Sequence, residues 1–179
     1  MSTAVIENVE AWSGKDRGDE NFPVGSALIS ARLRPHVHAF YAFARNADDI
    51  ADSPDLAPED KVRRLDAMQA VLLGEAADGS PSATQLRASL AECGVTPRHA
   101  TDLLVAFRQD AVKNRYANWD ELLDYCRVSA MPVGRHVLDL HGEALMKFEH
   151  LGLLTVSDTR VMLTERGRLL SNTVLREFV

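Results

Sequence analysis

The sequence predicts a mainly α protein that ends in a small helix–hairpin–helix piece. Proline and cap-residue punctuation recurs at helix-length intervals from Pro35 onward. Between these marks the apolar residues follow the 3.6-residue helical period. Short β-prone runs are confined to one stretch near the C-terminus.

The elements follow in chain order. Pro35, just after Arg34, suits the first turn of a helix, and the apolar-periodic run behind it stops before Pro54. Pro58 opens a second helix, rich in Leu and Ala, that runs to about Gly74. Residues 76–82 are small and polar and read as a loop. Ser80-Pro81 and Thr96-Pro97 each pair a good N-cap residue with Pro at the first helical position. Asn118, followed three residues later by Glu121, has capping-box spacing. Leu103, Phe107 and Ala111, and then Leu122, Tyr125 and Cys126, keep the helical period. Residues 24 to about 150 therefore read as helices with short connections. Residues 152–156 and 160–164 flank Ser157-Asp158-Thr159, which is a hairpin signal. Thr164 then suits the cap of one final helix to about Phe178, with Leu169, Leu170, Val174 and Phe178 on one side. The texture changes near Gly142 and Glu143, which divides the chain into residues 1–143 and 144–179.

Composition narrows the function classes. The chain has 179 residues, 46% hydrophobic and 26% charged, the balance of a soluble globule with a core. Its 20 Lys and Arg stand against 26 Asp and Glu, a net charge of −6. A chain of that sign has no overall attraction to phosphate backbones, so nucleic acid is not an expected partner. Cys93 and Cys126 are too far apart for a CxxC metal pair and too few for a disulfide framework. The N-terminus lacks the basic and apolar segments of a secretory signal, and no apolar run reaches the length of a membrane span. The expected location is the cytoplasm, with peripheral membrane contact left open because a soluble fold can take up a lipid.

The chemistry concentrates in residues 40–52. On a helix, Tyr41, Arg45, Asp48 and Asp52 fall at i, i+4, i+7 and i+11, which is one stripe. Asp48 and Asp52 are a turn apart and point the same way. Like charges at this spacing weaken an exposed helix, and carboxylates near a helix C-terminus oppose its dipole. Mg²⁺ takes oxygen ligands, commonly one or two carboxylates plus substrate phosphates. Metal binding and a surface acidic patch both account for the cluster at this level.

Several segments resemble the squalene/phytoene synthase family, and within it the bacterial hydroxysqualene synthases of hopanoid biosynthesis. They are Glu20-Asn21-Phe22-Pro23-Val24, residues 41–52, Ala106-Phe107-Arg108-Gln109-Asp110, and residues 125–135, which run from Tyr125 to Arg135. The resemblance spans residues 21 to 143 and implies part of an isoprenoid-synthase helical bundle around a central cavity. It implies Mg²⁺ as cofactor, with Asp48 and Asp52 as its ligands. It implies a catalytic set of Tyr41, Asp48 and Asp52, and substrate contacts from Phe22, Arg45 and Tyr125. The substrate implied is presqualene diphosphate or another prenyl diphosphate, which loses diphosphate, rearranges and captures water as hydroxysqualene.

Other residues carry smaller expectations. His36 and His38 read as surface or structural, and Trp119 as a packing residue. Arg135 reads as an ion-pair partner of Asp139. Asp110 suits a cavity or a surface position equally.

The sequence also departs from the family. A second aspartate-rich motif is expected near Leu169-Leu170-Ser171-Asn172, which offers no carboxylate. The acids after Glu143 are Glu149, Asp158, Glu165 and Glu177, and no two are four apart. An alternative reading is therefore a catalytically incompetent hybrid with a binding or structural role. A homo-oligomer is the other way to bring carboxylates opposite Asp48 and Asp52. The tail, through residues 151–154 and 161–174, resembles the C-terminal end of oxygen-independent coproporphyrinogen oxidase-like proteins. Those enzymes need a Cys-rich iron–sulfur motif that two distant cysteines do not supply. From residue 144 on, five basic residues face four acids, so the tail reads as a packing module rather than a DNA-binding wing.

Overall fold

The computed structural model describes residues 8–10, 29–113, 115–157 and 160–175. Four helices form the main body: α1 (Arg34–Asp52), α2 (Pro58–Leu73), α3 (Pro81–Cys93) and α4 (Arg98–Asp110). α1 packs most extensively, against α3 and α4, and α2 packs against α1, α3 and α4. Their shared core contains Phe43, Ile50, Leu65, Met68, Leu86 and Leu104, each fully buried. Burying each such side chain contributes about 1.5–3 kcal/mol, which is why these helices define the fold.

The local signals act largely as predicted. Pro stands in the first turn of α1, α2 and α3. The Ser80 hydroxyl accepts a hydrogen bond from the Ala83 N–H and donates one to the Glu10 carboxylate. Gly74 and Gly94 end α2 and α3 in the left-handed conformation that glycine adopts without strain. One boundary differs. The helix expected from Pro97 begins at Arg98, and Thr96 makes no side-chain cap bond. The first α4 bond runs instead from the Thr101 N–H to the Pro97 carbonyl.

Three shorter helices continue the chain: α5 (Trp119–Val128), α6 (Met131–Leu140) and α7 (Gly142–His150). The Asn118 side chain accepts from the Glu121 N–H, as the capping box requires. The Glu121 carboxylate, however, accepts from the Ala117 N–H rather than from Asn118. Trp119 does not pack: it is 69% exposed at the first position of α5. α5 and α6 both lie on α4, and α6 also reaches α1, where His136 stacks on Phe40 with ring centroids 3.9 Å apart.

β1 (Leu154–Val156) and β2 (Val161–Leu163) form the expected hairpin, antiparallel, with Thr155 opposite Met162. The single final helix does not form. α8 (Glu165–Leu169) and α9 (Ser171–Leu175) are separated at Leu170, and Phe178 lies outside the described residues. Thr164 does cap α8, accepting from the Gly167 N–H at 3.0 Å. Leu145, Phe148, Leu153, Leu154 and Val174 make a second, smaller core under the hairpin. Among the described residues, no helix is long and apolar enough to cross a membrane.

Candidate functional site

α1 buries Ala39, Phe40, Phe43, Ala47, Ile50 and Ala51. The Tyr41, Arg45, Asp48 and Asp52 stripe is thus off the buried face of the helix, as its period predicts. Tyr41, Arg45 and Asp48 are half-buried and Asp52 is exposed. Phe22, the remaining expected contact on this side, lies outside the described residues.

Arg45 organises the acidic end of the stripe. One terminal nitrogen pairs with Asp48 at 3.1 Å and the other donates to Asp49 at 2.7 Å. The Asp49 side chain is only 7% exposed. This fork compensates two of the three carboxylates that crowd the helix end, which explains how the cluster is tolerated there. Asp49 belongs to the same acidic cluster, but its buried pairing is not visible in the stripe.

Two residues far along the chain join this end of α1. Asp110, the last residue of α4, accepts a hydrogen bond from the Tyr125 hydroxyl at 2.9 Å. Burial raises the Asp110 pKa, the Tyr125 hydrogen bond opposes that rise, and the nearby Asp52 charge adds to it. Burial and the same hydrogen bond to Asp110 hold the Tyr125 hydroxyl well above the ordinary phenol range, so it remains a donor. Tyr116, which the sequence does not single out, packs its ring 5.0 Å from that of Tyr125. Lys113 lies over the Tyr116 ring at 4.9 Å and forms an ion pair with Glu121. Lys113 and Tyr116 lie in the connection between α4 and α5, and no local motif marks their contacts.

Asp48, Asp52 and Asp110 therefore gather at one end of the bundle, with Arg45 and Tyr125 beside them. Carboxylate oxygens are the right donors for Mg²⁺, and one or two of them suffice where a substrate supplies phosphate oxygens. Among the described residues, no group of three or more His, Cys, Asp or Glu forms a ready metal cage.

The other expectations divide. His36 bonds through Nδ1 to the Ser89 hydroxyl at 2.8 Å, a structural role. Arg135 does not pair with Asp139. Its nearest polar contact is the Met131 sulfur at 3.9 Å, while Asp139 accepts from His99 Nε2 at 2.9 Å. The ring of His99, buried on α4, takes the place at Asp139 that the sequence assigns to Arg135.

Residues 15–156 match the family model described as squalene/phytoene synthase. The chain is 54% identical over 135 residues to the hydroxysqualene synthase of Rhodopseudomonas palustris, across 75% of this chain and 46% of that protein. It is 51% identical over 134 residues to the hydroxysqualene synthase of Zymomonas mobilis, across 74% and 45%. The phytoene synthase of Mycobacterium tuberculosis is 30% identical over 122 residues. The fold is similar to the crystal structure of squalene synthase HpnC from Alicyclobacillus acidocaldarius. The TM-score is 0.60 at 33% identity, covering 89% of this chain and 54% of that one. The chain spans about half the length of the relatives it matches.

Proposed function

The chain belongs to the squalene/phytoene synthase family, and on that premise we propose that it acts on presqualene diphosphate and forms hydroxysqualene. The observation that carries this reading is the gathering of Asp48, Asp52, Arg45, Asp110 and Tyr125 at one end of the bundle. The identity to hydroxysqualene synthases supports the choice of substrate.

Asp48 and Asp52 would hold Mg²⁺, which when bound neutralises the leaving diphosphate as a Lewis acid. Arg45 holds Asp48 in place and would set a guanidinium charge beside the diphosphate. In the reaction the C–O bond breaks and diphosphate leaves with the electron pair. The cation rearranges, a water oxygen adds to it, and the water's proton is lost. Tyr41 offers an aromatic face that stabilises positive charge. Tyr125 donates to Asp110, which keeps that carboxylate oriented beside Asp52. A cytoplasmic protein that touches the membrane peripherally to collect so apolar a substrate fits this role.

The test is incubation of the purified chain with presqualene diphosphate and Mg²⁺, following diphosphate release and hydroxysqualene. Asp48→Asn is expected to cut the rate by ~100-fold, the scale of losing one charge-stabilising group. No release at high protein concentration would refute the enzyme reading. A second reading, a binding or structural role without catalysis, rests on the lack, among the described residues, of any group of three or more His, Cys, Asp or Glu arranged to hold a metal. It predicts no release together with retained, Asp48-dependent binding of presqualene diphosphate.

A further inference from the structure

We propose that the cavity between α4, α6 and the β1–β2 hairpin binds a small phosphate-class anion, at a site separate from the acidic end of α1. The cavity has a volume of about 560 Å³ and is lined by Arg98, Arg135 and Arg160 from three different elements, with His99, Asp139 and Ser157. That volume lies within the range of small-ligand pockets.

Charge balance points to an anion. Among the described residues, none of the three arginines forms an ion pair with a carboxylate. Among the described lining residues the one acid, Asp139, is engaged by His99 at 2.9 Å. Three arginines therefore line one cavity in which, among the described residues, the one acid is already engaged. Guanidinium forks match phosphate oxygens in pairs, which favours phosphate over a monovalent ion. The start of α4 adds to the same field. Its first N–H groups receive no side-chain cap, and Thr96, Arg98 and His99 from that end line the cavity.

The backbone of the third arginine is tied to Ser157. The Ser157 N–H donates to the Arg160 carbonyl at 2.8 Å, and the Arg160 N–H donates to the Ser157 hydroxyl at 3.1 Å. The site is also remote from the acidic cluster. Arg98 starts α4 and Asp110 ends it, a helical span of about 18 Å. Anion binding here is independent of Asp48 and Asp52.

The experiment is calorimetric titration of the full chain with inorganic diphosphate in EDTA, without divalent metal. One saturable site is expected. Arg98→Gln, Arg135→Gln and Arg160→Gln should each weaken it about tenfold or more, the effect of one charge-assisted contact. Asp48→Asn should leave it unchanged, which separates this site from the proposed active site. Arg135→Lys keeps the charge but loses the fork, and should fall between wild type and Arg135→Gln. A parallel arm uses vesicles of phosphatidylcholine with and without phosphatidic acid. Arginine-dependent binding of free diphosphate assigns a soluble anion. Arginine-dependent binding to phosphatidic acid vesicles alone assigns a lipid headgroup, and either result upholds the site. No arginine-dependent binding in either arm overturns it, and so does diphosphate binding that Asp48→Asn abolishes.

Discussion

His136 should make the protein acid-sensitive, and replacing it by Phe should remove that sensitivity. The residue lies on α6, is 2% exposed, and stacks on Phe40 with an interplanar angle of 12°. Neither ring nitrogen has a hydrogen-bond partner. Burial, with smaller repulsions from His99 and His36, lowers its pKa from 6.5 to about 4. Unfolded chains protonate this side chain near 6.5, whereas the folded chain resists until about 4. Between these values the unfolded state binds more protons, so stability falls as pH falls. Each pH unit in the window costs ~1.4 kcal/mol, and the full window is worth ~3 kcal/mol. His136→Phe keeps a stacked ring and removes both nitrogens. Urea unfolding at pH 7.5, 6 and 5, followed by circular dichroism, checks the prediction. Between pH 7.5 and 5 the wild type should lose ~2 kcal/mol more than the variant, from the part of the window above pH 5. Parallel losses in the two proteins would refute a neutral, desolvated His136.

The remaining predictions concern packing and the acidic cluster. At Gly167 an added Cβ would lie 1.9 Å from the Leu153 carbonyl oxygen and 2.8 Å from its carbon. That oxygen is held by the Thr164 N–H at 3.0 Å. Gly167→Ala must therefore push α8 away, costing the Thr164 cap and part of the Val174 burial, together ~2–4 kcal/mol. Hydrogen exchange should accelerate in residues 161–175 and stay unchanged in α1 to α4, and wild-type protection throughout would contradict the packing. Asp49→Asn should destabilise the protein by ~2 kcal/mol, because it removes one charge of a largely buried fork. A urea midpoint within error of wild type would show that pair to be solvated.

Much of the fold was legible because its signals are local. Pro58, Ser80 with Pro81, Asn118 and Thr164 mark helix starts through bonds or missing donors within a few residues. The failures occur where a distant group decides. α8 ends at Leu170, and Gly167 lies against Leu153, a contact fourteen residues back that periodicity does not encode. Arg135 loses Asp139 because α4 brings His99 to it across forty positions. His136 is inconspicuous in the sequence because a buried, unbonded histidine has the same letter as a solvated one.

The candidate site divides along the same line. Tyr41, Arg45, Asp48 and Asp52 are readable as a stripe because they share one helix and one period. Spacing alone, however, does not say which acids are compensated. Arg45 pairs with both Asp48 and Asp49, so its single positive charge is shared between two carboxylates, while among the described residues no ion pair reaches Asp52. Asp110 arrives beside it from α4, and its carboxyl is pushed up partly by the Asp52 charge. Asp52 and Asp110 therefore oppose one another across two helices, a repulsion that the stripe alone does not reveal. A cation lowers the energy most where two carboxylates repel and no guanidinium intervenes. The approach of Asp110 to Asp52 belongs to the junction of α1 and α4, which required the tertiary fold to identify.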